Sequence, residues 1–460
     1  MTTICTSNVT SGFVDLATWD EIEKYLYAGK DATAYFVRET KKATWFTQVP
    51  VVLSRASGTA GFNQDWSVAI SRAGDYLLHT WLRLTTPEVR VLEATNKYGL
   101  DGRVRWTRNF MHNIIRECCI TFNDLVAARF DNYHLDFWAA FTVPAGKRAG
   151  YDNMIGSVDD LTAPHLILES HTLNLPLPFF YTRDSGVGLP TAALPYNDMR
   201  ICFSFRDWTE LLILDNTQPV VGTNPRSVPV VGSDIATEPT LNSGNVQVWA
   251  NYAIVSNDER KRMACAPRDI LIEQVQTAPR QTFNPSQNQS FDIRFSHAIK
   301  AMFFAVVNNT SKNELSNYTS ASPVPGPFSV LFTPDGAYDP IAQTSLVYEN
   351  TQRLANMGSD YFSLVNPWYH APVIPSVTGY HMYSYSLDFY CLDPMGSTNY
   401  GKLTNVSIVP NASQGAIDGA AGNGVEGSGY DYPQKYEFVT TVVNNNVIRI
   451  SGGALGFPVL

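Results

Sequence analysis

The chain has 460 residues, a formal net charge of −9, 16% charged and 12% aromatic residues, and six cysteines. A chain this long carries two or three domains, and its 44% hydrophobic content can fill real cores. Packaging nucleic acid by direct contact needs concentrated Lys and Arg against phosphates. The densest basic cluster, Arg260-Lys261-Arg262, is preceded by Asp258 and Glu259, so direct nucleic-acid binding is not expected.

The N-terminus, Met1-Thr-Thr-Ile-Cys-Thr-Ser, has no charged start or apolar core of a secretory signal. No apolar run nears the roughly 18 residues that cross a bilayer. A soluble chain made in a cytosol, with reduced thiols, is the expectation. An arm then leads into a short helix. Thr18 and Glu21 form a capping-box pattern, Trp19, Ile22 and Leu26 fall near one helical face, and Gly29 can end the helix. Those three residues are the candidate interface, able to dock on a neighbour or on their own domain.

Beyond the arm the apolar pattern has period two, which places alternate side chains on opposite faces of a sheet. Tyr76, Leu78, Thr80, Leu82 and Leu84 share one face. Met199, Ile201, Phe203 and Phe205 share another, as do Val246, Val248, Ala250, Tyr252 and Ile254. Phe291, Ile293 and Phe295 alternate with polar residues, and so do His381, Tyr383, Tyr385, Leu387 and Phe389. Asn444-Asn445-Asn446, flanked by Val442-Val443 and Val447-Ile448, reads as a hairpin turn because Asn tolerates positive φ.

Helix is sparse. Phe130, Tyr133, Phe137 and Phe141 fit one amphipathic helix with Asp131 near its start, and Ser256 with Glu259 forms a second capping-box pattern. Three stretches, Asn216–Asn245, Asn308–Pro340 and Asn411–Gly429, read as long loops. Many strands with little helix between them define an all-β chain of antiparallel sandwiches or jelly rolls. The boundary falls near the 256–263 helix. No fixed-period repeat appears.

The chemical motifs are weak. Gly422-Asn-Gly424-Val-Glu-Gly427 spells G-x-G-x-x-G but lies in a polar run, without the strand and helix that a dinucleotide site requires. Asp131, His134 and Asp136 suggest a metal, yet positions i and i+2 of a helix do not share a face, so surface or capping roles are expected. No Cys pair has C-x-x-C spacing, and no H-E-x-x-H or G-x-S-x-G occurs. Seven N-x-S/T sequons, at Asn8, Asn288, Asn308, Asn309, Asn317, Asn405 and Asn411, read as chance in an Asn-rich chain. No catalytic, cofactor-binding or metal-ligating residue is assigned. A sugar-binding or hydrolytic β-sandwich is the competing class, since lectins also use aromatics and jelly rolls.

Several segments, in order along the chain, resemble one family. They include Ser11-Gly-Phe-Val-Asp-Leu-Ala-Thr18, Ser71-Arg-Ala-Gly-Asp-Tyr-Leu-Leu78, Phe122-Asn-Asp-Leu-Val-Ala-Ala-Arg-Phe130 and Leu189-Pro-Thr-Ala-Ala-Leu-Pro-Tyr-Asn197. Phe291-Asp-Ile-Arg-Phe-Ser-His297, Met357-Gly-Ser-Asp-Tyr-Phe362, Gly379-Tyr-His-Met-Tyr-Ser-Tyr-Ser-Leu-Asp-Phe-Tyr390 and the C-terminal Asn444–Leu460 continue the series. Together they resemble the major capsid proteins of iridescent viruses, invertebrate members above all. The resemblance implies two consecutive eight-stranded antiparallel jelly rolls with a few short helices, divided as an arm (1–29), a first roll (30–262) and a second roll (263–460). It further implies a structural, non-enzymatic protein without cofactor. Three copies would form a pseudo-hexagonal unit that tiles an icosahedral shell in the host cytoplasm. The arm would face minor capsid proteins or an internal membrane.

Overall fold

The computed structural model describes residues 2–92, 102–216, 227–310, 312–320, 339–421 and 433–457. The chain forms two compact units, 1–45 and 46–460. The first opens with a helix, Thr2–Ala17, where the sequence suggested an unstructured arm. The Thr18 hydroxyl donates back to the Asp15 carbonyl (2.6 Å), closing that helix instead of starting the next. Asp20 becomes the N-cap, its carboxylate accepting from the Ile22 N–H (3.4 Å). The expected Thr18–Glu21 box is therefore not formed. A 3-10 turn (Glu21–Glu23) and a single α-turn (Lys24–Tyr27) follow instead of one continuous helix.

In the second unit, eight strands form a first sandwich: β1 (Phe46–Val52), β2 (Asp65–Ala69), β3 (Tyr76–Thr85), β4 (Ile115–Phe122), β5 (Leu125–Phe130), β6 (Thr172–Pro176), β7 (Met199–Phe205) and β8 (Val246–Val255). Their sheets run β1-β8-β3-β6 and β2-β7-β4-β5, the latter with a short edge strand, Arg55–Ser57, beside β2. The second sandwich comprises β9 (Arg268–Thr277), β10 (Phe291–Asp292), β11 (Ala298–Asn308), β12 (Ile341–Tyr348), β13 (Thr351–Gly358), β14 (His381–Ser384), β15 (Val406–Ala412) and β16 (Tyr436–Ser451). Its sheets run β9-β16-β11-β14 and β10-β15-β12-β13, the former with short strands Gln281–Phe283 and Ala454–Gly456 on β16 and Thr398–Asn399 on β11. Adding eight to each strand number converts the first order into the second. The chain thus holds two jelly rolls of identical topology, although no repeat is visible in its residues.

The period-two faces fill both cores. Leu82, Leu84, Val248 and Ala250 pack with Trp66, Ile120, Ile201 and Phe203 in the first. Phe291 stacks on Phe438 in the second, ring centroids 4.7 Å apart. The tight turns of the two rolls also correspond. Asn123-Asp124 joins β4 to β5 and Glu349-Asn350 joins β12 to β13, all four residues with positive φ, as a primed hairpin turn needs. The Glu349 carboxylate accepts from the backbone N–H groups of Thr404 and Asn405, anchoring a residue type that rarely takes that conformation.

Two sequence expectations fail here. Asn444–Asn446 form no turn; β16 runs straight through them, paired with β9 on one side and β11 on the other. Their amides find cross-strand partners, with Gln276 donating to Asn444 and Asn446 donating to Gln274, both at 2.9 Å. The alternation from His381 to Phe389 is a strand only as far as Ser384. There the Ser384 and Ser386 hydroxyls bond to carbonyls two residues on, the chain turns, and Leu387 is left exposed.

Antiparallel alternation puts every odd-to-even connection at one end of a roll and every even-to-odd connection at the other. In both rolls the connections 86–114, 131–171 and 206–245, then 309–340, 359–380 and 413–435, lie at the odd-to-even end, while 177–198 and 385–405, also long, lie at the other. The hairpin turns, the start of β1 and the helix Asn257–Cys265 joining the rolls lie at the opposite end. That helix forms where the sequence predicts it, but the Ser256 side chain makes no capping bond.

Candidate functional site: the seam between rolls and the exposed apolar surfaces

The helix Asn132–Thr142, in the β5–β6 connection, begins where Asp131 predicts: its carboxylate accepts from the His134 N–H (3.0 Å). Nearly every residue of the helix is buried, more than an amphipathic surface helix requires. Tyr133, Phe137 and Phe141 lie on the outer face of the second roll's β9-β16-β11-β14 sheet, against Phe303, Met382 and Val443. Phe137 and Phe141 both stack on Phe303, at 5.9 and 5.4 Å. One roll thus reaches across and covers a sheet of the other. This explains β11, where Ile299 to Asn308 is buried without alternation. A strand covered on both faces reads as a continuous apolar run. Ala301-Met-Phe-Phe-Ala-Val-Val307 carried that signal, and a search for period two passes over it.

Three buried polar clusters pin the seam. Arg105 donates through Nε to Asp215 (2.5 Å) and through Nη1 and Nη2 to Glu314 (3.2 and 2.5 Å), all three residues at most 2% exposed. Burial disfavours the guanidinium charge, but Glu314 and Asp215 outweigh it and hold Arg105 more firmly protonated than usual. Asp136 accepts from Asn109 (3.2 Å), His112 Nδ1 (2.8 Å), Ser316 (2.7 Å) and Tyr318 (2.7 Å). Lys300, fully buried on β11, donates to Glu273 (2.5 Å) and to the Cys391 carbonyl (2.5 Å). Arg183 of the first roll lies 3.3 Å from the other Glu273 oxygen, its guanidinium 4.6 and 4.7 Å from the Trp138 and Tyr390 rings. Such clusters add little net stability over apolar packing, yet they tolerate one arrangement only, because losing a partner strands a buried charge.

Asp131, His134 and Asp136 do not converge on a metal. Asp131 caps the helix, but His134 and Asp136 are buried, not on the surface as expected. Burial, with help from Arg183, holds the His134 imidazole neutral, its pKa pushed down to about 3. Asp136 is saturated by the bonds above. Among the described residues no group of three His, Cys, Asp or Glu side chains could hold a metal ion, and no helix is long and apolar enough to cross a membrane. The G-x-G-x-x-G stretch at 422–427 lies outside the described residues. The segment 312–320, expected as exposed loop, is a buried wedge supplying Glu314, Ser316 and Tyr318. Asn308 and Asn317 are each 2% exposed, and their side-chain oxygens accept from Thr310 and Thr319, so two sequons are closed to glycans.

Trp19, Ile22 and Leu26 are all exposed, at 55%, 82% and 75%. The break into two short turns denies them a continuous helical face. They belong to a longer apolar series in the same unit that includes Phe13, Tyr25 and Phe36. A second exposed apolar group, Leu364, Val365, Trp368 and Tyr369, stands on the β13–β14 connection.

Two jelly rolls locked by a buried seam, with exposed aromatics on both units, fit a shell-building protein. Family models agree: the "Major capsid protein N-terminus" matches residues 34–255, and the "Large eukaryotic DNA virus major capsid protein" matches 259–456. The chain is 66% identical to the major capsid protein of Invertebrate iridescent virus 6, over 99% of this chain and 100% of that protein. It is also 66% identical to that of Costelytra zealandica iridescent virus, over 99% of each. Its fold matches the capsid protein in the quasi-atomic model of the PBCV-1 virus capsid, with a TM-score of 0.73 at 18% identity, over 93% of this chain and all of that one. The chain belongs to the major capsid protein family of the iridescent viruses. It is a structural protein of the virion, assembled in the host cytoplasm, and not an enzyme.

Proposed function

We propose that three copies of this chain close into a pseudo-hexagonal unit, and that these units tile the flat faces of an icosahedral shell around an internal membrane. The repeat of one roll topology within the chain carries the reading: six similar rolls surround a three-fold axis. The chain works as an arm (1–29), a first roll (30–262) and a second roll (263–460). The meeting of the two family models between residues 255 and 259 supports the second division. The end that carries three long connections in each roll faces outward. The arm serves the inner side of the shell, where minor capsid proteins or lipid headgroups cover Trp19, Ile22 and Leu26. Acidic charge keeps free units soluble until they meet.

Light scattering of the purified protein coupled to size exclusion tests the ring: three times the chain mass is expected, and a monomer under assembly conditions refutes it. Deleting the residues before Gly29 should leave the trimer intact and abolish shell growth. Collapse of the trimer would overturn the role given to the arm.

A further inference from the structure

Within the chain, the β5–β6 connection of the first roll covers the outer face of the β9-β16-β11-β14 sheet. Adding eight to the strand numbers names the corresponding pair. The β13–β14 connection should cover the outer face of a β1-β8-β3-β6 sheet. Both surfaces exist: the connection's apolar side chains are exposed, and the tryptophans of the sheet face are partly exposed. The connection carries two consecutive helical turns, Tyr361–Val365 and Asn366–His370, with Leu364 51%, Trp368 71% and Tyr369 72% exposed. On the sheet, the registers Val52↔Trp249, Trp249↔Trp81 and Trp81↔Pro176 align an apolar row across all four strands. Trp81 and Trp249 stack at 6.1 Å with planes 10° apart, and Val52 is 44% exposed. A cleft of about 1040 Å³ opens beside Trp81, between this face and the 132–155 helices, wide enough for an indole.

We infer that the helical turns Tyr361–His370 of one copy dock on the Val52–Trp249–Trp81–Pro176 row of the next copy, with Trp368 entering the cleft beside Trp81. This rests on the ring proposed above and names its contact. The occupant is a second copy of this chain because the contact repeats one the chain already makes with itself. Donor and acceptor are different surfaces, so the association is head-to-tail and closes only as a ring. Every roll-to-roll step around that ring then has the same form, alternately within and between chains. The two contacts differ in polarity. The internal contact buries its charges in pairs such as Lys300–Glu273, whereas His79 and Arg83 beside the tryptophan row are exposed. A surface that meets water before assembly carries such a rim.

The test uses the full-length protein. Trp368→Asp changes an exposed side chain, and unchanged circular dichroism will confirm that the variant folds. Its mass by light scattering should fall threefold relative to wild type. Independently, Val52→Cys and Tyr369→Cys in one chain should give covalent dimers and trimers with a short bismaleimide, above the background from the wild-type protein. A trimeric wild type with a trimeric Trp368→Asp variant and no added cross-linking would overturn this contact while leaving the ring intact. A monomeric wild type would overturn the ring, and this contact with it.

Discussion

Arg105→Met removes a buried cation from beside two buried carboxylates. Glu314 and Asp215 are 2% and 0% exposed, and both bond to the Arg105 guanidinium. Breaking one buried pair costs about 3–5 kcal/mol. The loss should lie at or above that range at pH 7, against a typical domain stability of roughly 5–15 kcal/mol. Urea unfolding of wild type and variant at pH 7, followed by tryptophan fluorescence, measures it. Replacing all three residues by apolar ones of similar volume should recover most of the stability. A deficit under about 1 kcal/mol at pH 7 would refute the account of the cluster as a charge clamp.

Other positions make separate demands. Phe303→Ala removes the ring on which Phe137 and Phe141 stack and should cost about 3–5 kcal/mol, measured by the same unfolding assay. Gly379 has φ +103°, and a Cβ there would fall on the Tyr318 carbonyl, so Gly379→Ala should cost at least about 1–3 kcal/mol from backbone strain alone. Cys119 and Cys202 are cross-strand partners, and a hydrogen bond from Cys119 brings the Cys202 thiol down to about 7. Iodoacetamide labelling followed by mass spectrometry should therefore show Cys202 half-reactive near pH 7 and falling off below it, while buried Cys118 stays unmodified. Expression through a secretory pathway should leave Asn308 and Asn317 without glycan, as a glycopeptide map would show.

The sequence by itself determined the all-β class, because alternation is a local property: Met199 to Phe205 can bury one face only as a strand. It also placed the Asp131-capped helix and the 257–265 helix, and the resemblance it carried named the family. Tertiary structure decided what local pattern does not encode. Asn444–Asn446 has the composition of a turn, yet the backbone pairs with β9 on one side and, at Asn444 and Asn445, with β11 on the other, and ladder pairing overrides turn propensity. The segment 312–320 looks like polar loop, and only its long-range partners, Arg105 and Asp136 some 180 to 210 residues away, make burial of its polar groups tolerable. The equivalence of the two rolls lies in strand order rather than in residues. Many sequences satisfy one topology as long as inward positions stay apolar, so the repeat, and the partly exposed tryptophan row, became visible only when the strands were numbered in space.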